Sequence, residues 1–141
     1  MNLERSVLKF GGSSVSDFTK IKNIAEMLSL RIAQGEQLIF VVSAMGKTTD
    51  ELMANVSTLT TSPKDQELAL LLTTGEQQTV SYLSMVLNDI GVRAKAMTGY
   101  QAGIKTVGHH LKSRIAEINP ETFEQAFEEN DVLVVAGFQG I

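Results

Sequence analysis

Lys9 stands just before an adjacent pair of glycines, in the string Lys9-Phe10-Gly11-Gly12-Ser13-Ser14. Adjacent glycines let a backbone curl until successive N–H groups face one anion, and a helix starting just beyond adds its positive end. A lysine ending the preceding strand could reach a phosphoryl group in transfer. The arrangement is not the usual phosphate-binding loop, in which the lysine follows the glycines and precedes Ser or Thr. A tight strand-to-helix turn beside a solvated lysine explains the same residues equally well. Further along, Ser43-Ala44-Met45-Gly46-Lys47-Thr48-Thr49 and Thr74-Gly75-Glu76-Gln77 supply hydroxyls and a carboxylate. Donors for a carboxylate and an acidic partner for an ammonium are what an amino-acid substrate requires. These strings also have a structural explanation. Thr48-x-x-Glu51 and Thr74-x-x-Gln77 both fit the capping-box pattern, and a glutamate in a first helical turn is favoured by the helix dipole.

The elements that must position these residues are legible from periodicity. Val7 to Phe10 reads as a strand stopped by Gly11-Gly12. A helix is predicted from Asp17 to Gln34, with Ile21, Ile24, Leu28 and Ile32 at helical spacing, Ser16 as its cap and Gly35 as its stop. Leu38-Ile39-Phe40-Val41-Val42 is a continuous branched apolar run, the pattern of a strand covered on both faces. Helices follow from Asp50 to Leu59 and from the Ser62-Pro63 turn to Leu72. Thr74-Gly75-Glu76-Gln77 then restarts the chain into a long helix carrying Val80, Leu83, Leu87 and Ile90, ended by Gly91. Val92 to Met97 is a strand, Thr98 to Thr106 a polar loop, and Lys112 to Ile118 a short strand for which a helix remains the alternative. Asn119-Pro120 opens a helix with Phe123 and Phe127 toward the core. Val132 to Ala136 is a buried strand leading into Gly137-Phe138-Gln139-Gly140.

Strands alternating with helices imply an α/β fold, a mostly parallel sheet with helices on both faces. Ligands of such sheets bind outside the carboxyl ends of the strands. The turns there are Lys9 to Ser14, Ser43 to Thr49, Thr98-Gly99 and Gly137 to Gly140. All are glycine-rich or hydroxyl-bearing, as expected for a ligand that needs close backbone approach.

Composition narrows the alternatives. The 141 residues suffice for one core of ordinary domain size. There is no cysteine, so disulfides, thiolate metal sites and cysteine nucleophiles are excluded together. The net charge is −4 and the basic residues are scattered, giving no nucleic-acid footprint. No apolar run is long enough to span a bilayer, and Met1 to Arg5 has no secretory-signal character. A cytoplasmic location is expected. His109-His110 has no metal spacing with another ligand, and the methionines sit at core-like positions.

Taken in order, Lys9-Phe10-Gly11-Gly12-Ser13-Ser14-Val15, Val41 to Gly46 with Thr48-Thr49-Asp50, Thr74-Gly75-Glu76, Thr98 to Ile104 and Gly137-Phe138-Gln139-Gly140 resemble aspartate kinases of the amino-acid-kinase family. The resemblance covers essentially the whole chain. It implies an α/β/α sandwich and transfer of the γ-phosphoryl group of ATP, brought with Mg2+, to the side-chain carboxylate of L-aspartate. That is the first step toward lysine, threonine and methionine. By the same resemblance Lys9 would stabilise the transferring phosphoryl group, Gly11, Gly12 and Ser13 would cradle phosphate oxygens, and Ser43, Thr49 and Glu76 would hold aspartate. No protein metal ligand is identified.

The family pattern continues beyond these residues, with a Gly-Arg-Gly-Gly-Ser-Asp-like segment, most of the adenine pocket and regulatory ACT domains. Residues 1–141 are therefore expected to be the N-terminal lobe of the kinase domain, incomplete and inactive alone, with the whole protein a homo-oligomer free of nucleic acid and membrane. The alternatives are another amino-acid kinase, acting on glutamate or acetylglutamate, and a non-catalytic module that binds an amino acid.

Overall fold

The computed structural model describes residues 4–137, so Phe138, Gln139 and Gly140 of the fourth predicted turn lie outside the described residues. The elements run β1 (Glu4–Phe10), α1 (Phe18–Ala33), β2 (Glu36–Val42), α2 (Thr48–Leu59), α3 (Asp65–Asp89), β3 (Ala94–Met97), β4 (Ile104–Val107), β5 (Arg114–Ile118), α4 (Pro120–Phe127) and β6 (Val132–Ala136). Four strands form one sheet in the order β1-β2-β6-β3, every neighbour parallel. Strands β4 and β5 make a separate antiparallel hairpin, which settles the segment expected over Lys112 to Ile118 as a strand, beginning at Arg114.

Alternation along the strands divides the core between the two faces. Leu38, Phe40 and Val42 of β2 join Val132, Val134 and Ala136 of β6 against Ile21, Ile24 and Leu28 of α1 and Val80, Leu83 and Leu87 of α3. Leu133 and Val135 face the other way, onto Ala126 and Phe127 of α4. The second face is less completely covered. Helix α4 has only eight residues and packs on β6, so Ile39 and Val41 stay half-buried and Val7 is 67% exposed. Continuous burial, expected for both apolar runs, is reached by β6 and not by β2.

Two helix starts differ from expectation. Asp17, not Ser16, caps α1, its carboxylate accepting from the Lys20 N–H at 2.8 Å. A carboxylate is the stronger acceptor at that end of the dipole. Thr48 is already inside α2, preceded by Lys47, with no side-chain cap, so its capping box is not formed. Asn119 and Pro120 start α4 as expected, the Asn119 side chain accepting from the Glu121 N–H.

The largest correction concerns α3. Helices expected on either side of Thr74-Gly75 are one helix of 25 residues, and Thr74 is mid-helix, its hydroxyl donating to the Leu71 carbonyl at 2.7 Å. Thr-Thr-Gly is a poor helix-forming string, by about 1 kcal/mol for the glycine alone. Packing of the continuous stripe Leu68, Val80, Leu83 and Leu87 outweighs it.

The phase of this helix is testable by urea unfolding. Leu83 is fully buried and Leu70 is 71% exposed. Leu83→Ala is expected to cost about 2–5 kcal/mol, and Leu70→Ala no more than about 0.5 kcal/mol.

Candidate active site

Strand register places the predicted turns at one level of the sheet. Phe10 pairs with Val42 and Val42 with Ala136, so β1, β2 and β6 end side by side. The Gly137 N–H then donates to the Val42 carbonyl at 2.8 Å, extending the rim. Met97, the last residue of β3, pairs with Val135, one step lower.

After β1 the chain makes a single 3-10 turn over Gly12–Val15. It is tied to the loop after β2 by the Gly46 N–H, which donates to the Gly12 carbonyl at 3.0 Å. A Cβ on Gly12 would lie 3.0 Å from the Ala44 carbonyl oxygen. Gly46 has φ +42°, and a Cβ there would lie 3.3 Å from the Ser16 carbonyl oxygen. The first glycine turn and the Ser43–Thr49 loop are thus in backbone contact.

Helix α3 closes on the same loop from one side. At Gly75 a Cβ would stand 2.9 Å from the Ala44 Cβ, nearer than real side chains approach. The next residue, Glu76, is 8% exposed and has no basic partner among the described residues. Burial pushes its carboxyl above the ordinary carboxylate range, and the N–H groups of Glu76 itself and Ala44, directed at the carboxylate, offset part of that rise. A buried carboxylate held by N–H groups alone can still accept a cation.

The remaining predicted residues are placed less tightly. Lys9, Gly11 and Ser13 are exposed, Gly12 and Ser43 half-buried. Leu8 and Phe10 pack toward α1 and α3, so alternation puts Lys9 on the opposite sheet face from Glu76. Thr49 is exposed on the first turn of α2, and it is the Thr48 methyl that packs toward Gly75. An open cleft of about 440 Å³ flanks the loop between Met45, Thr48, Phe18 and Tyr82, and none of the predicted site residues lines it. The candidate site is the rim itself, not this hollow. Among the described residues no group of three His, Cys, Asp or Glu could hold a metal ion, and no helix is long and apolar enough to cross a membrane.

Sequence reasoning missed Ala44, whose N–H faces Glu76. It also missed that Gly75 serves close packing, not a turn. The available signal was that Leu68 and Leu72 before the string share a helical phase with Val80, Leu83 and Leu87 after it.

The profile of the amino acid kinase family matches residues 4–141. The chain belongs to this family. It is 43% identical over 135 residues to aspartokinase 2 of Bacillus subtilis, covering 96% of this chain and 33% of that protein. The aspartate kinase of Synechocystis superposes with a TM-score of 0.78 at 39% identity, over 96% of this chain and 22% of that one. Escherichia coli aspartokinase III in complex with aspartate and ADP shares the fold at 15% identity, with a TM-score of 0.70, over 97% of this chain and 41% of that one. A UMP kinase from Ureaplasma parvum does so at 16% identity and 0.62, over 95% and 56%. The chain spans about a third of the length of the aspartokinases it matches.

The raised Glu76 carboxyl has a consequence for stability. A group whose folded value lies above its unfolded one contributes stability that is complete below the unfolded value and lost as pH rises through the folded value. Glu76→Gln keeps the acceptor for the Ala44 N–H and removes the charge. The variant should melt above the parent at neutral pH, and the difference should close as pH falls below the ordinary carboxylate range. Melting curves across that range check it; a difference independent of pH would contradict a buried, ionising carboxyl.

Proposed function

We propose that this chain is the substrate- and phosphoryl-binding part of a kinase that transfers the γ-phosphoryl group of ATP to the side-chain carboxylate of L-aspartate. The observation that carries this reading is the buried Glu76 carboxylate, without a basic partner, against the Ser43–Gly46 loop on the same rim as the Gly11-Gly12 turn. An unpaired, desolvated carboxylate suits an ammonium group, and a hydroxyl such as Ser43 nearby suits a carboxylate. Relatives at about 40–44% identity named as aspartokinases support aspartate as the substrate.

In this reading Glu76 receives the α-ammonium of aspartate, while Ser43 and Thr49 donate to its α-carboxylate. Thr49 would need to turn inward from its exposed position. Gly11, Gly12 and Ser13 receive phosphate oxygens on backbone N–H groups, and Lys9 places its ammonium toward the transferring group from the other face. Mg2+ arrives with ATP as part of the substrate. The side-chain carboxylate of aspartate attacks the γ-phosphorus, the bond to the β-bridging oxygen breaks, and ADP leaves with that electron pair. Catalysis then rests on positioning and charge stabilisation, and no residue needs to become covalently modified.

We further infer that the chain is one lobe of a larger catalytic domain. Its span of about a third of the relatives and the uncovered sheet face at Val7, Ile39 and Val41 beside Lys9 support this. Oligomerisation, a cytoplasmic location and a place in lysine, threonine and methionine biosynthesis belong to the same proposal.

The test is aspartyl-phosphate formation, trapped as the hydroxamate, by the whole protein containing this chain. Lys9→Ala should lower kcat by about a hundredfold or more while leaving the melting temperature in place, because Lys9 is exposed at the rim. Phosphorylation of glutamate or acetylglutamate in preference to aspartate would overturn the substrate; a near-normal kcat for Lys9→Ala would remove the lysine from the machinery.

A further inference from the structure

We infer that Gly75 and Ala44 are a matched pair of positioning residues that set the Glu76 carboxylate in place for the substrate ammonium. The inference rests on the proposed reading of Glu76 as a substrate-binding group and goes beyond it to how the group is held.

The geometry is specific. A Cβ on Gly75 would sit 2.9 Å from the Ala44 Cβ, 3.5 Å from the Thr48 Cγ2 and 3.9 Å from the Leu52 Cδ1. Only the first is a forbidden approach, and its partner is a methyl with no rotamer to escape through. Ala44 is also enclosed on its carbonyl side, where a Cβ on Gly12 would stand 3.0 Å from the carbonyl oxygen. The loop cannot retreat without disturbing the turn after β1, to which Gly46 is hydrogen-bonded at 3.0 Å. A methyl at position 75 must therefore move α3 away from the loop, and Glu76, the next residue along, moves with it. The Ala44 N–H that faces the Glu76 carboxylate is lost in that movement.

The same geometry explains a glycine near the middle of a helix of 25 residues, where it weakens the helix. It also gives the two halves of the rim a shared part. Ala44 touches the amino-acid side through its N–H and Cβ and the phosphate side through its carbonyl, so displacement at 75 disturbs both loops from one point.

The test is a swap in the whole protein. Gly75→Ala is expected to speed amide exchange in peptides covering 43–47 by about tenfold or more, with the 132–136 strand unchanged. It should also raise the KM for aspartate by about tenfold to a hundredfold, the loss expected for one charge-assisted hydrogen bond, and leave the KM for ATP within about twofold. Adding Ala44→Gly removes the clashing methyl and leaves only ordinary contacts around position 75, so the double variant should recover both the exchange protection and the aspartate KM. Should Gly75→Ala fail to fold, folding of the double variant with parental protection supports the matched pair. A double variant that exchanges fast, or does not fold, overturns it, because relief of the Ala44 contact then restores nothing. Glu76→Gln separates the two readings. If it raises the aspartate KM while Gly75→Ala does not, the positioning inference fails and the substrate reading stands. If Glu76→Gln leaves the aspartate KM unchanged, the substrate reading fails with it.

Discussion

Helix α3 can lie against the loop after β2 because residue 75 has no side chain, and most of the site's organisation depends on that contact. Ala44 occupies the space a Cβ would take, at 2.9 Å. The contact buries the neighbouring Glu76 and turns an ordinary surface carboxylate into one whose ionisation is costly. It also fixes the loop from one side, while the 3-10 turn at Gly12 fixes it from another through the Gly46 hydrogen bond. Three segments distant in sequence thus meet through backbone atoms and one methyl. Small residues at all three points are what the approach demands.

The sheet supplies the level platform that this meeting needs. Parallel strands in register end together, so the turns after β1, β2 and β6 open at one height. The helices then divide the work by face. On one face α1 and α3 build the main core and carry Glu76 to the rim. On the other, α4 is short, and the strip beside Lys9 remains open. A phosphoryl donor approaching Lys9 and an acceptor held at Glu76 would come from opposite sides of the sheet edge, which suits an in-line transfer between two separately bound substrates.

How much of this was legible in the sequence depends on whether the cause was local. The run Val132 to Ala136 was read to its exact bounds, because five consecutive branched or small apolar residues have no other use in such a fold. Asn119-Pro120 also announced its helix, since cap and first-turn proline act within one turn. That β1, β2 and β6 end on one rim followed from the α/β rule alone. Thr74-Gly75 was misread for the opposite reason. Its composition says break, but packing on either side of it carries the helix through, and the glycine answers to the distant Ala44 methyl. Which of two adjacent threonines turns inward was not legible either: packing against α3 turns Thr48 inward and leaves Thr49 exposed. The depth of Glu76 could not be read either, since burial depends on the loop that closes over it.

The central claim is that Glu76 receives the substrate's ammonium. Calorimetry of aspartate binding to the whole protein, repeated in buffers of different ionisation enthalpy at a pH just above the ordinary carboxylate range, tests it directly. Burial raises the Glu76 carboxyl of the free protein toward the protonated form, and an arriving ammonium favours the ionised form. The account predicts net proton release on binding, absent in Glu76→Gln. Aspartate binding with the same proton release in both proteins would contradict it.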